Sequence, residues 1–302
     1  MTIKQLLPYL IMLVSVGTAT ATGLLSALVF AVTDLTFHMA PRQASGQVVI
    51  VAIDQRSLDR LGPWPWPRSY HASVLTRLEE AGAHRIAFDM DLSGATNATE
   101  DRALAGAMER MTAEIILPVF ERDRDPAAAG QASTIAIPHL PFVIGSSLAT
   151  AAVPVEKDGL SRRYAAGAHF HGLYVQSLGR LLSAEQTTNR TRFYVDYGID
   201  PNSVPRLSYI DVLKGNHSPD ALRGKSVIIG AMAPALGDRL SVPVHGSLPG
   251  PLVHALAYES LQQDRHVFAR ASLIIVLSAF LFFYGGARLL ARRGRLAGAI
   301  AS

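Results

Sequence analysis

Apolar positions dominate the two ends of the chain and come in short bursts between them. Residues 5–33 contain no charged side chain, and a helix needs about 20 apolar residues to cross a bilayer. The apolar core of a cleavable signal peptide is shorter, about 7 to 15 residues. This run is therefore read as an uncleaved membrane helix over residues 9–33, behind a short cytoplasmic N-terminus at residues 1–8. A second run, "ASLIIVLSAFLFFYGGA", lies between Arg270 and Arg288. Both arginines can snorkel to the interface, so a second span is expected over residues 268–288.

The region between the spans alternates strand-like and helix-like patterns. "QVVIVAI" is a continuous β-branched run of the kind buried on both faces of a sheet. "DQRSLDRLG" predicts a short helix capped by Asp54 or Ser57 and stopped by Gly62. "PWPWPR" interrupts regular structure, because each proline holds its predecessor extended. Pro67 then suits the first position of a helix ending at Gly82. "HRIAFDMDL" predicts a strand, "TEDRALAGAMERM" a helix and "AEIILPVF" a strand. Such an alternation implies a parallel sheet with right-handed crossovers. "DRDPAAAGQASTI" reads as a surface loop, "HFHGLYVQSLGRLL" as a helix and "RFYVDYG" as a strand. "SYIDVLKG" predicts a short helix stopped by Gly215, "KSVIIGAMA" a buried strand and "PGPLVHALAYESLQQD" a final amphipathic helix. The expected fold is one extracytoplasmic α/β domain over residues 40–265, with a mostly parallel sheet and flanking helices, between two transmembrane helices.

Composition agrees with that division. The chain has 302 residues, 49% hydrophobic and 17% charged, richer in apolar side chains than an ordinary soluble protein. Its net charge of +4 is topological: Lys4, Asp34, Arg270 and the four arginines from Arg288 to Arg295 carry +5, which leaves residues 35–269 at −1. Nucleic acid is thereby excluded as a partner of the ectodomain, which has no basic footprint. Positive clusters mark the cytoplasmic side, so both ends are expected inside, in an inner-membrane, multi-pass protein with its domain in the periplasm. Residues 289–302 form a basic turn followed by "RLAGAIAS", read as the start of a third membrane helix. Small residues in "SVGTATATGLLSA" would let two copies approach closely, and a homodimer is expected. Cysteine is absent, which excludes disulfides and thiolate metal sites.

Chemistry-bearing residues concentrate where strands end. In open α/β sheets, ligands sit beyond the carboxyl ends of the parallel strands. Asp54, Asp89 and Asp91 fall there, and Asp238 follows "VIIGAMA". The same aspartates would also serve as helix caps. Trp64 and Trp66 are the only tryptophans, and with Arg68 they form a rigid aromatic loop able to face a ligand or to pack beneath the sheet. Asp54, Trp64, Trp66, Arg68, Asp89 and Asp238 are accordingly the candidate ligand site. No metal set, cofactor motif or catalytic residue emerges: "RGKSVIIG" places its lysine before a strand rather than a helix. HExxH and GxSxG do not occur, and His254 in "PLVHALAY" reads as a hydrogen-bonded core residue.

In order along the chain, Asp54, Ser57, Leu58, Gly62, the WPWPR box from Trp64 to Arg68, His71 and Asp89 resemble the second type of CHASE domain. Asp101, Asp158, Gly159, Arg162, "SYIDVLKG", Gly224, Lys225, Gly230, Asp238, Pro243, Gly250 and His254 extend the resemblance over roughly residues 40–265. Asp91 departs from it, since an apolar residue is usual there. The resemblance implies a sensory domain outside the membrane, joined through membrane helices to a cytoplasmic cyclase, cyclic-di-GMP enzyme or kinase beyond residue 302, and non-enzymatic itself. Its ligand or protein partner is not specified by the family. A membrane-tethered periplasmic hydrolase using Asp54, Asp89 or Asp91, and an envelope interaction scaffold, are the alternatives.

Overall fold

The computed structural model describes residues 23–39, 41–122, 134–170, 172–183 and 191–264, with isolated positions elsewhere. In chain order the elements are α1 (Leu24–Met39), β1 (Val48–Ile53), α2 (Gln55–Leu61), α3 (Arg68–Glu80), β2 (Arg85–Asp89), α4 (Ala98–Glu109) and β3 (Glu114–Arg122). Then come β4 (Thr134–Ala136), α5 (Leu140–Val143), β5 (Ser147–Thr150), β6 (Arg163–Ala165), β7 (Gly167–Phe170), β8 (Leu173–Gln176) and α6 (Leu178–Ser183). The last are β9 (Arg192–Tyr194), β10 (Arg206–Ser208), α7 (Tyr209–Lys214), β11 (Ser226–Ala231), β12 (Arg239–Val242), β13 (Gly246–Pro249) and α8 (Gly250–Gln262).

The central sheet runs β10-β1-β11-β2-β3-β4, with β5 also on β3. Every pairing in it is parallel except β3 with β4. Fully apolar runs explain its centre, for all six residues of β1 are buried, as parallel strands covered on both faces must be. Helices α3 and α4 cover the face that carries Val49, Val51, Phe88 and Ile229. The opposite face meets α6 and α8. Residues 41–266 form one compact unit, and residues 1–40 with 267–302 form another.

Local signals terminate these elements as expected. Asp54 caps α2 by accepting the Ser57 N–H at 2.9 Å, and Gly62 ends that helix at φ +88°. Gly215 closes α7 in the left-handed region, where glycine carries no Cβ penalty. Pro67 stands one place earlier than expected, capping α3 instead of opening it.

The expected helix over 169–182 is corrected. Residues 167–176 form the antiparallel hairpin β7–β8, and only Leu178–Ser183 are helical. Gly172 supplies φ +84° beside the turn, and a Cβ on Gly167 would lie 2.5 Å from the Val175 carbonyl oxygen. Backbone-to-backbone approach thus overrides the apolar content of "GLYVQSLGRLL". The expected loop is likewise interrupted by β4, while residues 123–133 lie outside the described residues.

The expected membrane spans at 9–33 and 268–288 lie largely outside the described residues, as does 290–302. Among the described residues no helix is long and apolar enough to cross a membrane. Helix α1 overlaps the end of the first expected span and continues past Asp34 to Met39.

Candidate functional site

A cavity of about 980 Å³ opens at the carboxyl edge of the sheet, lined by the last residues of β1, β2 and β11 (Ile53, Asp89 and Ala231) together with Phe120 of β3. The WPWPR segment, loop residues between Met90 and Asn97, Ala151, Val153, Leu236, Asp238 and Leu240 of β12 also line it. Gly250 and His254 of α8 form its remaining wall. Strand order places β11 between β1 and β2, so the ends of these three adjacent parallel strands meet at the cavity.

Its polar wall is a chain of buried groups. Asp89 and His254 have side chains only 6% and 3% exposed, and His254 Nε2 stands 3.5 Å from Asp89 Oδ2. On the other side of the ring, His254 Nδ1 meets the Tyr164 hydroxyl. That hydroxyl also accepts the Gly179 N–H at 3.2 Å. With Tyr164 donating to Nδ1, the neutral ring turns its Nε2–H toward Asp89. Burial would lower the His254 pKa, but the charges of Asp89 and Asp238 outweigh it and raise it. Asp238 is pushed up to about 6, by burial first and then by repulsion from Asp89.

Two glycines make room for these carboxylates. A Cβ on Gly250 would lie 2.4 Å from Asp238 Oδ2, and one on Gly230 would lie 3.1 Å from Asp89 Cβ and 2.5 Å from Pro251 Cγ. Asp89 Oδ2 is buried without a hydrogen-bond partner among the described residues. A buried carboxylate oxygen left in that state is costly. Among the described residues no group of three ligating side chains is arranged to hold a metal ion.

The aromatic wall is a packed ladder. Trp64 and Trp66 meet edge to face at 5.2 Å, and Trp66 packs in a tilted contact 4.8 Å from Tyr209. Trp66 is 4% exposed and its Nε1–H donates to the Gly62 carbonyl at 2.9 Å. His71 accepts from the Tyr209 hydroxyl at 2.7 Å, and burial with the nearby Arg68 charge lowers its pKa to about 3. Arg68 is buried and loosely held, 4.0 Å from Asp101 and 3.4 Å from the Gly94 carbonyl, with its guanidinium over the Phe142 ring at 5.6 Å. Asp101 in turn accepts from the Thr96 N–H and hydroxyl at 2.9 and 2.7 Å, which fixes the loop bordering the cavity.

Trp64, Trp66, Arg68, Asp89 and Asp238 thus border one cavity, and Asp91 joins them at its exposed rim. Asp54 does not. It is spent on the α2 cap and on the hydroxyls of Ser57 and Ser208, at 2.6 and 3.0 Å. Arg162 and Asp158 pair with each other at 2.7 Å and are not among the cavity residues. His254 has the hydrogen bond its apolar context suggested, but it also faces the cavity. Tyr164 was not singled out, since nothing local marks a tyrosine in "RRYAAG" as a histidine partner.

A mostly parallel sheet with a ligand-sized cavity at its carboxyl edge is the arrangement in which α/β domains hold ligands. The family model of the CHASE2 domain matches residues 10–287, so the chain belongs to the CHASE2 family, whose members are sensory domains of signalling receptors. No curated protein and no solved structure shows a significant match to the chain.

Proposed function

We propose that the chain is the extracytoplasmic input module of a bacterial membrane receptor, held by spans at residues 9–33 and 268–288. In this reading it regulates a cytoplasmic cyclase, cyclic-di-GMP enzyme or kinase through those spans, as a homodimer and without catalysis of its own. The observation that carries the reading is the placement of α8. Its first residues, Gly250 and His254, wall the cavity. Its last turns hold the segment that enters the domain: Glu259 Oε2 and Oε1 accept the Ser45 N–H and hydroxyl, each at 2.8 Å. The helix has 13 residues, so the two ends stand about 20 Å apart along one rigid rod. A ligand biases such a device only by binding one arrangement better than another.

Two measurements test this. Alkaline phosphatase fused after Gln263 should be active in cells and inactive when fused after Ser302; activity at both positions overturns the topology. Because the native chain has no cysteine, spin labels at Gln43 and Gln263 report the junction cleanly. Gly250→Ala and Asp238→Asn, which reshape the cavity, should shift the measured distance distribution. An unchanged distribution in both folded variants overturns the coupling.

A further inference from the structure

We propose that the cavity recognises a small organic cation: a protonated amine seated between Asp89 and Asp238, with an apolar or aromatic body against Trp64 and Trp66. The inference deepens the sensing role and rests on it.

Charge selects the class. Asp89, Asp91, Asp238 and Glu100 border the cavity against Arg68 and against His254, whose pKa Asp89 and Asp238 raise. Arg68 already stands beside Asp101 and Asp91, whose charges act on it, and Glu100 is engaged by the Ser69 N–H at 2.7 Å. Asp89 is different: its Oδ2 is buried, faces His254 only at 3.5 Å and has no hydrogen bond among the described residues. Asp238 lies within its electrostatic reach. Two carboxylates facing one space are relieved by a cation that donates to both, whereas an anionic ligand would add to their repulsion. The metal alternative lacks a ligand set among the described residues.

Shape selects the rest. A volume of about 980 Å³ far exceeds an ammonium ion and matches a drug-sized molecule. Met90, Leu236 and Leu240 line it together with the tryptophans, which supplies apolar surface for the body of the ligand.

The chain has two tryptophans and both border the cavity, so its intrinsic emission reports occupancy directly. The full 302-residue chain in lipid nanodiscs is titrated with phenethylamine, its neutral counterpart phenethyl alcohol, and the anion hydrocinnamate. Phenethylamine should change the emission saturably, with phenethyl alcohol at least about tenfold weaker and hydrocinnamate weaker still. Asp89→Asn should weaken the amine about tenfold or more and erase its advantage over the alcohol; Asp238→Asn serves as the second variant should the first misfold. Saturation by the alcohol or the anion at equal or better affinity overturns the cationic class while leaving a ligand-binding cavity. No response to phenethylamine overturns the inference outright, and the junction distances then decide the sensing role on their own.

Discussion

Glu259 and Ser45 stand 214 residues apart in the chain and share two hydrogen bonds of 2.8 Å, with the carboxylate fully buried. This contact ties the lead-in segment to the last turns of α8. Gln263 adds to the same carboxylate at 3.0 Å. Glu259→Ala should cost about 3 kcal/mol, because three donors lose a charged acceptor in a dry site. Glu259→Gln should cost about 1 kcal/mol, and urea unfolding of the two variants checks the order.

His254 holds the polar wall together. His254→Leu removes the acceptor of the Tyr164 hydroxyl and the Nε2–H that faces the buried Asp89 carboxylate, and should destabilise by about 3 kcal/mol. In an Asp89→Asn background the same substitution should cost clearly less, since no buried charge is stranded. Equal costs in both backgrounds would show that the two residues are not coupled.

Asp238 titrates against the fold. Its pKa is raised to about 6 in the folded chain, against an ordinary carboxylate value of about 4. Its contribution to stability is therefore present below about pH 4 and is lost as pH rises through about 6. Asp238→Asn should raise the melting temperature above about pH 7, with the gain vanishing toward pH 4. Amine affinity of the native chain should fall as pH drops through about 6, when the Asp238 charge is neutralised.

His71 carries the opposite sign. Burial and the Arg68 charge hold it neutral to about pH 3, whereas an unfolded histidine protonates near about 6.5. Its contribution is present above that value and is lost on acidification, with a slope of about 1 kcal/mol per pH unit. His71→Gln should flatten the acid limb of a stability–pH curve.

Gly230 is buried in β11, and its missing Cβ leaves room for Pro251 and Asp89. Gly230→Ala should cost about 1 to 3 kcal/mol through overpacking and displace the first turn of α8. Thermal unfolding and the tryptophan emission maximum check both effects.

The parallel sheet could be read from the sequence because its central strands are short, mainly apolar runs, as in Val48–Ile53, closed by Asp54, and Ser226–Ala231. Period and punctuation agree there, so tertiary context has nothing to override. The β7–β8 hairpin was not readable, because its pairing depends on a glycine packed against a facing backbone. The cavity position followed from strand ends, and its membership followed except for Asp54, Tyr164 and His254. Asp54 and Asp89 both end strands, but a following Ser57 draws Asp54 into a cap, while Asp89 has no hydroxyl so placed. The Tyr164–His254 contact spans 90 residues, and no local pattern encodes a partner that distant.

Strand β11 has one further consequence. It is bonded to β1 on one side and β2 on the other, yet it is synthesised after most of the domain. Until it arrives, β1 and β2 present unpaired edges and bare apolar faces, and long-range parallel pairing forms slowly. A chain cut short of Ala231 therefore lacks the keystone of its sheet and has no partial sensor to offer.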